Sequence, residues 1–358
     1  MRLLVVAEQL RRAVPGGIGT YAHGLLAGLA RLDPASRPDV TLWASRAPGG
    51  RPDPLVALGP VTTSVLPARA QVWAWDRGLG AAPGRPDLVH ATSFALPATG
   101  AVPMTAMVHD LAWRHFPDAY PRRGRRWHEA ALGRALDRAT TLVVPSTPVA
   151  DDLLAAGAPA RRVEVVEEGC DHLPAPDDEG ATALLAGLGV DGGYLLTVST
   201  VEPRKNLPRL LAAYERARPR LTGPWPLLVA GPAGWGPTLR PGPGVVLAGH
   251  VGGGLLSALY RRARVMAYVP LREGFGLPVA EAMSCGVPVV ATDVPSAGGA
   301  ALTVDPFDVD GMAAALVSAA NDDARRAELV AAGAARAATL TWARAAQGHV
   351  DVWAAAAG

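Results

Sequence analysis

The sequence predicts an α/β protein made of two doubly wound domains, each with a parallel sheet covered by helices on both faces. Three observations support this fold class: a length of 358 residues, a series of short apolar runs, and helical spacing between those runs. At about 150 residues per domain, the length suits two domains with separate cores. Apolar runs without polar alternation are typical of parallel strands buried on both faces. Because strands and helices alternate, we expect right-handed βαβ units.

Each half of the chain contains five predicted strands, and helical spacing recurs between them. The strands of the first half are Leu3–Ala7, Val40–Trp43, Leu88–Ala91, Thr105–His109 and Leu142–Pro145. Those of the second half are Tyr194–Ser199, Pro226–Ala230, Val245–Ala248, Val265–Val269 and Val287–Ala291. Helices are predicted, among other places, at Ile18–Arg31, Asn206–Arg218, Leu255–Arg262 and Leu277–Ser284.

The domain boundary is predicted within His172–Gly189, which opens with proline, acidic and glycine residues after the last strand of the first half. We expect an N-terminal domain over 1–172 and a C-terminal domain over 191–340. Residues 341–358 are predicted as a helix that begins at a Thr-Trp pair and returns toward the N-terminal domain. Paired doubly wound domains that face a central cleft bind ligands at the carboxyl ends of their strands. We therefore expect the site residues to lie in loops that follow strands.

Composition excludes several classes of protein. A net charge of +2 argues against a protein that binds nucleic acid through bulk positive potential. The two cysteines, Cys170 and Cys285, are far apart and form no CxxC pair, which excludes a disulfide scaffold and a zinc–cysteine site. The apolar start is too short for a signal peptide, and no stretch approaches the roughly 18 apolar residues of a membrane span. We therefore expect a cytoplasmic protein.

The only lysine of the chain, Lys205, stands beside Arg204 directly after a predicted strand. The other basic residues are arginines, so this position indicates a requirement that a guanidinium does not meet. Adjacent cations at a strand end form a clamp suited to a diphosphate. The alternative is a solvated helix start, but two cations there would oppose the helix dipole. The pair therefore indicates an anion-binding function.

The segment Arg272–Asp293 contains the most specific pattern of the sequence. Glu273 opens a glycine-containing loop after a buried strand, and Glu281 follows eight positions later, on the second turn of a short helix. Backbone N–H groups of the loop are suited to sugar hydroxyls or phosphate. The carboxylate of Glu281 is suited to two ribose hydroxyls. A capped helix with solvated acids is the alternative.

Two weaker signals lie in the first half. Gly16, Gly17 and Gly19 precede a helix, where glycines let backbone N–H groups approach an anion, although they could form only a tight turn. Their spacing is not that of a dinucleotide fingerprint, which argues against a nicotinamide oxidoreductase. His109 ends a predicted strand, where it is either a site residue or an ordinary loop histidine.

In these motifs the chain resembles the retaining glycosyltransferases of the GT-B fold, family 4, which include bacterial mannosyltransferases. The resemblance covers nearly the whole chain and rests on GGIGTY, VHD, STVEPRKN, LAGHV, EGFGLPVAEAM and the final TW helix, in family order. It implies transfer of a hexose from a nucleoside diphosphate sugar, such as GDP-mannose or a UDP or dTDP sugar, with retention of anomeric configuration. The acceptor would be a saccharide, a lipid-linked saccharide or a small metabolite. No metal or cofactor is implied beyond the donor.

The resemblance assigns a role to each matching residue. Gly16 and Gly17 would approach the donor diphosphate and the acceptor, and His109 would lie beside the anomeric carbon. Arg204 and Lys205 would neutralise the diphosphate leaving group. The leaving phosphate would take the proton of the attacking hydroxyl, and Glu273 would not act as a covalent nucleophile.

The remaining motif residues would bind the rest of the donor. His250 and Val251 would meet the base through backbone groups, Glu281 would bind the ribose, and Ser199 is a further donor-binding candidate. The sugar and phosphate would be held by Glu273, Gly274, Phe275, Gly276 and Leu277. The chain departs from the family at 294–302, a shortened loop that lacks the usual acidic residue.

One rival motif is discounted, and two functional alternatives stay open. Asp308-Val309-Asp310 matches the motif of a metal-dependent transferase, but Asp308 is better explained as a helix N-cap. A non-catalytic nucleotide-sugar-binding subunit would have the same fold, as would a nucleotide-sugar epimerase. Finally, four arginines occur in PRRGRR (121–126), and tryptophans occur at 73, 75 and 127. This pattern suits an anionic lipid surface or an anionic acceptor, and it is also typical of a solvated helix start.

Overall fold

The structure is a computed structural model that describes residues 1–12, 15–47, 49, 52–235 and 238–358. The chain forms two compact units. The N-terminal unit comprises Met1–His115, Pro121–Gly169 and Thr341–Gly358. The C-terminal unit comprises Phe116–Tyr120 and Cys170–Leu340. The chain thus leaves the first unit at Gly169, and the short segment Phe116–Tyr120 belongs to the second.

The N-terminal unit is built on a seven-stranded parallel sheet. Its strands are β1 (Arg2–Val6), β2 (Asp39–Ala44), β3 (Val61–Thr63), β4 (Leu88–Ala91), β5 (Met104–Met107), β6 (Thr141–Val144) and β7 (Val163–Val165). Its first helices are α1 (Gly16–Arg31), α2 (Ala68–Asp76), α3 (Ala112–His115), α4 (Arg122–Arg138) and α5 (Thr147–Ala155). The strand order is β3-β2-β1-β4-β5-β6-β7, with Leu3 of β1 opposite Val40 and Leu88. The strands at the centre of this sheet are almost fully buried, as their apolar runs predict.

The C-terminal unit has a six-stranded parallel sheet in the order β10-β9-β8-β11-β12-β13. Its strands are β8 (Leu195–Val198), β9 (Leu227–Ala230), β10 (Val245–Gly249), β11 (Val265–Tyr268), β12 (Val289–Ala291) and β13 (Leu302–Thr303). Its helices are α6 (Asp178–Gly187), α7 (Leu207–Ala217), α8 (Gly253–Arg262), α9 (Leu277–Ser284), α10 (Val309–Asn321) and α11 (Asp323–Thr339). Strand order reverses next to β8, so the loops after β8 and β11 open at the point where doubly wound sheets bind ligands.

The last helix, α12 (Trp342–Ala357), belongs to the N-terminal unit and packs against α1. Trp342 is fully buried there. A Cβ atom at Gly24 would overlap its ring, and one at Gly28 would overlap its carbonyl group. The two glycines of α1 therefore make the room that the tryptophan fills.

The predicted α/β architecture with two parallel sheets is confirmed, and the differences are local. The structure adds β3, β7 and β13, which are two or three residues long, partly exposed and at sheet edges. An apolar-run criterion does not detect strands of that kind. The stretch predicted as a boundary, His172–Gly189, contains α6, whose first turn is capped by the side chain of Asp177. No helix within the described residues is long and apolar enough to cross a membrane.

Candidate active site

A buried asparagine organises the loop after β8. Asn206 has a left-handed backbone (φ 58°) and is the only non-glycine residue with positive φ in the described part of the chain. Asparagine tolerates this conformation better than most residues. Its side-chain amide donates to the carbonyl oxygens of Val269 (3.0 Å) and Pro306 (2.8 Å). The preceding 3₁₀ turn, Pro203–Lys205, is thereby fixed beside the end of β11.

Arg204 and Lys205 converge on one carboxylate oxygen. Arg204 Nη1 and Lys205 Nζ each lie 2.7 Å from Glu273 Oε1, although about 68 positions separate them in sequence from Glu273. The Lys205 ammonium also donates to the hydroxyl of Tyr268 at 2.9 Å, and Arg204 Nη2 bonds Glu202 at 3.1 Å. The side chains of Arg204, Lys205 and Glu273 are 12, 13 and 10% exposed. Three residues predicted from the sequence therefore meet at one buried point. Arg204 and Lys205 reach it from the 3₁₀ turn before α7, and Glu273 reaches it from the loop after β11.

The charged side chains of Arg204, Lys205 and Glu273 influence one another's pKa values. Burial alone would raise the pKa of Glu273, but the charges of Arg204 and Lys205 outweigh it and lower that pKa to about 2. Burial, and then repulsion by Arg204, lowers the pKa of Lys205, against the opposing effect of Glu273 and Glu202. Burial also raises the pKa of Tyr268 well above its usual value. Glu273 is thus a carboxylate held between two cations in a poorly solvated place, where electrostatic interactions are strong.

The glycine loop after Glu273 is held by the segment at 294–297. Gly276 has φ 95° and precedes α9 as its N-cap residue. Ser296 donates through its hydroxyl to the carbonyl oxygen of Gly276 (2.7 Å) and through its backbone N–H to that of Phe275 (2.9 Å). A Cβ at Gly276 would lie 3.1 Å from that hydroxyl, so the turn favours glycine for its conformation and for its space. The loop that looks shortened in the sequence therefore supports the glycine turn.

Both carboxylate oxygens of Glu281 are already hydrogen-bonded within the protein. Oε2 accepts from the hydroxyl of Tyr260 at 2.7 Å, and Oε1 lies 3.0 Å from Nε2 of His172. Glu281 is 7% exposed and Tyr260 is fully buried. Sequence reasoning missed both partners because they lie 21 and 109 positions from Glu281 and belong to no recognised motif. The carboxylate orientation is therefore set before any hydroxyl group reaches it.

The other donor-binding candidates lie at the same edge of this sheet. Ser199 follows β8, is 8% exposed, and its hydroxyl has no hydrogen-bond partner among the described residues. His250 is exposed and Val251 partly exposed in the turn after β10. Because all strands of the sheet are parallel, their carboxyl ends share an edge. Phe275 and Leu277 are at least nine-tenths buried, so their predicted contacts would come from backbone groups.

The remaining candidates belong to the N-terminal unit. The strand predicted to end at His109 ends at Met107, and His109 lies in the loop after it. Its Nε2 is 3.0 Å from the carbonyl oxygen of Thr92, and its Nδ1 is 3.3 Å from Glu168 Oε1. Gly16 and Gly17 are exposed at the first turn of α1, and a Cβ at either position would meet nothing within 4 Å. Their backbone is open to an approaching group.

The Asp-x-Asp match has a structural explanation. Asp308 caps α10 by accepting from the backbone N–H of Gly311 (2.9 Å), as predicted. Asp310 pairs with Arg216 at 2.6 Å on the surface. Over the described ranges, no group of three or more His, Cys, Asp or Glu residues is arranged to hold a metal ion.

Two family models match the chain, one on each half. The model described as Glycosyltransferase Family 4 matches residues 15–172, and the model described as Glycosyl transferases group 1 matches residues 192–322. O-antigen chain mannosyltransferase B of Escherichia coli is 32% identical over an alignment that covers 71% of this chain and 71% of that protein. A D-inositol 3-phosphate glycosyltransferase of Salinispora arenicola is 29% identical over an alignment that covers 94% of this chain and 87% of that protein.

Solved structures show the same fold. HepE of Anabaena, in complex with UDP-glucose, has a TM-score of 0.73 at 19% identity and covers 99% of this chain and 100% of its own. Sucrose-phosphate synthase of Thermosynechococcus elongatus also has a TM-score of 0.73 at 19% identity, covering 99% and 98%. The GT-B fold predicted from the sequence is therefore confirmed.

Proposed function

The chain belongs to the group 1 glycosyltransferases, family 4, and we propose from this that it moves a hexose from a nucleoside diphosphate sugar to an acceptor hydroxyl with retention of configuration. One observation supports the proposal above others: Arg204 and Lys205 meet at a single buried oxygen beside the glycine loop. Cleavage of the anomeric C–O bond leaves negative charge on the departing diphosphate. Buried cations and backbone N–H groups that are already in place stabilise that charge with little reorganisation.

The cation pair is proposed to do the work that a metal ion does in other transferases. Arginine offers two parallel N–H donors to a phosphate, and lysine offers a compact charge with three donors. Both side chains are already held by the protein, so their ordering cost is met before the donor binds. In this proposal the reaction proceeds in the presence of a chelator.

Glu273 is proposed to bind the donor sugar and to balance the two cations, and not to attack the anomeric carbon. Its Oε1 already accepts hydrogen bonds from Arg204 and Lys205. A carboxylate whose pKa is lowered to about 2 is a weak base and correspondingly a weak nucleophile. The proton of the attacking hydroxyl would pass to the leaving phosphate, which departs from the same face of the sugar. Retention then follows without a covalent intermediate.

The transferred sugar is proposed to be mannose, supplied as GDP-mannose. Support comes from the 32% identical relative, which is named a mannosyltransferase. The structural neighbours in complex with UDP or UDP-glucose are under 25% identical and show the fold alone. UDP and dTDP sugars are accordingly the comparison donors. For the acceptor we propose the hydroxyl of a saccharide, free or lipid-linked, or of a small metabolite.

The direct test is release of nucleoside diphosphate from GDP-mannose, UDP-glucose and dTDP-glucose, each with EDTA and a panel of mannose-containing acceptors. We expect release and a new glycoside from one donor, with the donor's anomeric configuration in the NMR spectrum of the product. Lys205→Ala should abolish release, whereas Arg325→Ala, which removes a charge from an exposed surface pair, should not. An epimerase would change the sugar without forming a glycoside, and a binding subunit would bind a donor without turnover. Inversion of configuration would contradict the retaining mechanism.

A peripheral contact with anionic lipid is proposed for the surface formed by α2 and the start of α4. The indole of Trp127 donates to Asp76 at 3.2 Å, which places the two helices side by side. Trp73 is 53% exposed with the guanidinium of Arg77 4.1 Å above its ring. Exposed apolar side chains flank α2 at Val65 and Leu79. The basic residues at the start of α4 are Arg122, Arg123, Arg125 and Arg126. Amphipathic aromatics beside arginines suit the interface of an anionic bilayer.

Vesicle flotation tests this contact. We expect the protein to float with vesicles that contain phosphatidylglycerol and not with phosphatidylcholine alone. Changing Arg122, Arg123, Arg125 and Arg126 to serine should abolish flotation. A control that changes Arg216 and Arg325, both in exposed ion pairs of the C-terminal unit, should float normally. Undiminished flotation of the four-serine variant would refute the contact.

A further inference from the structure

The loop histidine of the N-terminal unit, His109, has an acceptor at each ring nitrogen. Its Nε2 faces the backbone carbonyl of Thr92 at 3.0 Å, and its Nδ1 faces the carboxylate of Glu168 at 3.3 Å. The His109 side chain is 19% exposed and that of Glu168 is 4% exposed. Glu168 follows β7 and belongs to no motif recognised in the sequence. Its contact with His109 joins positions that are 59 apart in the chain.

These contacts constrain the protons on the ring. A carbonyl oxygen only accepts, so Nε2 must carry a hydrogen. A carboxylate also only accepts, so the second contact is a hydrogen bond only if Nδ1 carries a hydrogen too. A ring with both hydrogens is an imidazolium. The one other arrangement moves that proton to Glu168, which would then donate to a neutral ring.

The surroundings favour the charge on the histidine. Asp110, the next residue, adds a second negative charge, and Tyr21 packs edge-on against the ring at 5.0 Å. The other facing titratable groups, His90 and His349, are buried, and their pKa values are lowered, so they are neutral near pH 7. Burial disfavours the charged form of His109, but Glu168, with the Thr92 carbonyl and Asp110, outweighs it. The pKa of His109 is raised above its usual value.

We propose that Glu168 is a positioning residue that keeps His109 as an imidazolium, with both N–H groups donated inside the protein. The inference rests on the proposed function in assigning this ring to the reaction. There His109 acts as a fixed positive charge beside the transferred sugar and cannot accept a proton. The proton of the attacking hydroxyl must therefore go elsewhere, which agrees with its transfer to the leaving phosphate.

The charge state is tested on the protein without substrate. In the NMR spectrum of ¹⁵N-labelled protein at pH 7.5, we expect both ring nitrogens of His109 to have the chemical shifts of an imidazolium. The signals are assigned to His109 because they should be absent from the spectrum of His109→Gln. Glu168→Gln should convert the ring to one neutral tautomer, because the amide can donate to Nδ1 while Nε2–H stays on Thr92. The control is Asp152→Asn, which removes the carboxylate 2.8 Å from the surface histidine His115 and should leave His109 unchanged. A neutral His109 in the wild type would overturn the proposal.

The pH profile of transfer provides a second readout, which a purely structural role would not change. We expect wild-type kcat/KM to fall at alkaline pH as His109 loses its proton. Glu168→Gln should move that fall to lower pH by roughly one to three units, the usual effect of an adjacent opposite charge. Glu168→Asp, which keeps the charge, should restore most of the wild-type profile. If His109 were a general base, activity would instead rise with pH through its titration, and the proposal would be wrong. If the protein turns over no donor, the NMR result still decides the charge state of His109. Failure of the proposed function can therefore be distinguished from failure of this proposal.

Discussion

Lys205 shows why one position of this chain keeps a lysine. Two of its three N–H groups are used by Glu273 and Tyr268, at 2.7 and 2.9 Å, within a pocket where the side chain is 13% exposed. A guanidinium is planar and larger, and its donors are fixed in a fork, so it does not match two contacts that converge on a single nitrogen. The sequence indicated a special requirement here from composition alone. The structure identifies the requirement as a compact cation between a carboxylate and a phenol.

At the same scale, the hydroxyl of Tyr260 should control how nucleotides are bound. We propose that Glu281 binds the ribose of the donor; Tyr260→Phe removes one hydrogen bond to that carboxylate and leaves it free to turn away. Hydrogen bonds to charged groups contribute about 1.5–3 kcal/mol, so affinity for the preferred nucleoside diphosphate should fall roughly tenfold or more. The variant should also lose the preference for ribose over 2′-deoxyribose. Calorimetric titration with the ribose and the 2′-deoxyribose forms of that nucleotide measures the affinity and the preference.

The matched control for that prediction is Tyr194→Phe. It also removes a buried tyrosine hydroxyl in the C-terminal unit, one that donates to the carbonyl oxygen of Leu259 at 2.7 Å. This change should lower stability without altering the ribose preference. Equal nucleotide preferences in wild type and Tyr260→Phe would show that Glu281 is not oriented for ribose by Tyr260.

The residues that sequence reasoning found and missed differ in their physical origin. Arg204, Lys205 and Glu273 follow strands, where a parallel sheet gathers side chains, so motif and topology together predict their meeting. Glu168 and Tyr260 act on residues that are far away in sequence, through single hydrogen bonds. No local periodicity or spacing encodes a pairing of that kind, and only the folded chain displays it.

At the scale of elements, the contact of α12 with α1 depends on two glycines. Gly28→Ala would place a methyl group on the carbonyl of Trp342, which is backbone and cannot rotate away. Overpacking of this kind typically costs about 1–3 kcal/mol. We expect a lower midpoint of thermal unfolding.

Gly133→Ala is the control for that change. Gly133 lies in α4, and a Cβ there would meet nothing within 4 Å, so the better helix former should stabilise by about 0.4–1 kcal/mol. Opposite signs for the two glycine-to-alanine changes are the predicted outcome. A stabilising effect of Gly28→Ala would contradict the packing described for α12.

Elements at sheet centres were predictable, whereas three of the four edge strands, all except β10, were not. β4 is fully buried, and its predicted bounds, Leu88–Ala91, are those observed. β3 and β13 have three and two residues, and part of each is exposed, so hydrophobicity gives them little signal. Helix α6 was not predicted because the proline and acidic residues that precede it are typical of a linker. Asp177, one of those acidic residues, is also a good N-cap residue.

At the scale of the whole molecule, a buried network joins α12 to the first sheet and sets a pH dependence. The hydroxyl of Tyr21 lies 2.7 Å from Nε2 of His349 and 2.9 Å from Nε2 of His90. Because Nδ1 of His349 faces the carbonyl oxygen of Ala345 (2.8 Å), a neutral His349 accepts from Tyr21, which in turn accepts from His90. Burial lowers the pKa of His349 to about 4 and that of His90 well below its usual 6.5.

Stability should therefore fall as pH decreases from about 6.5. Below that value the unfolded chain binds protons at these two histidines and the folded chain does not, so their contribution is lost on acidification. For His349 the loss approaches about 3 kcal/mol near pH 4. The pKa of His109 is raised, so its contribution to stability has the opposite pH dependence: it is present at low pH and is lost only as pH rises. The contribution of Glu273 to stability is lost only as pH falls below about 4.5.

Thermal unfolding at pH 7.5, 6.0 and 5.0 tests this prediction. The wild type should unfold at progressively lower temperature, and the decrease should be smaller in His349→Gln, whose amide oxygen can still accept from Tyr21. A wild-type midpoint that is constant or rises between pH 7.5 and 5.0 would show that the buried histidines are not held neutral.

The central claim, that Arg204 and Lys205 hold the diphosphate of a nucleotide sugar, is tested most directly by binding of GDP, UDP, dTDP and ADP in the presence of EDTA. At about 100 times its dissociation constant, a nucleotide that binds only the folded state stabilises it by about 2.7 kcal/mol. We predict that one nucleotide stabilises the wild type and Arg325→Ala alike, and that Lys205→Ala loses the response. Equal stabilisation of Lys205→Ala, or no stabilisation of the wild type by any of the four, would contradict the account.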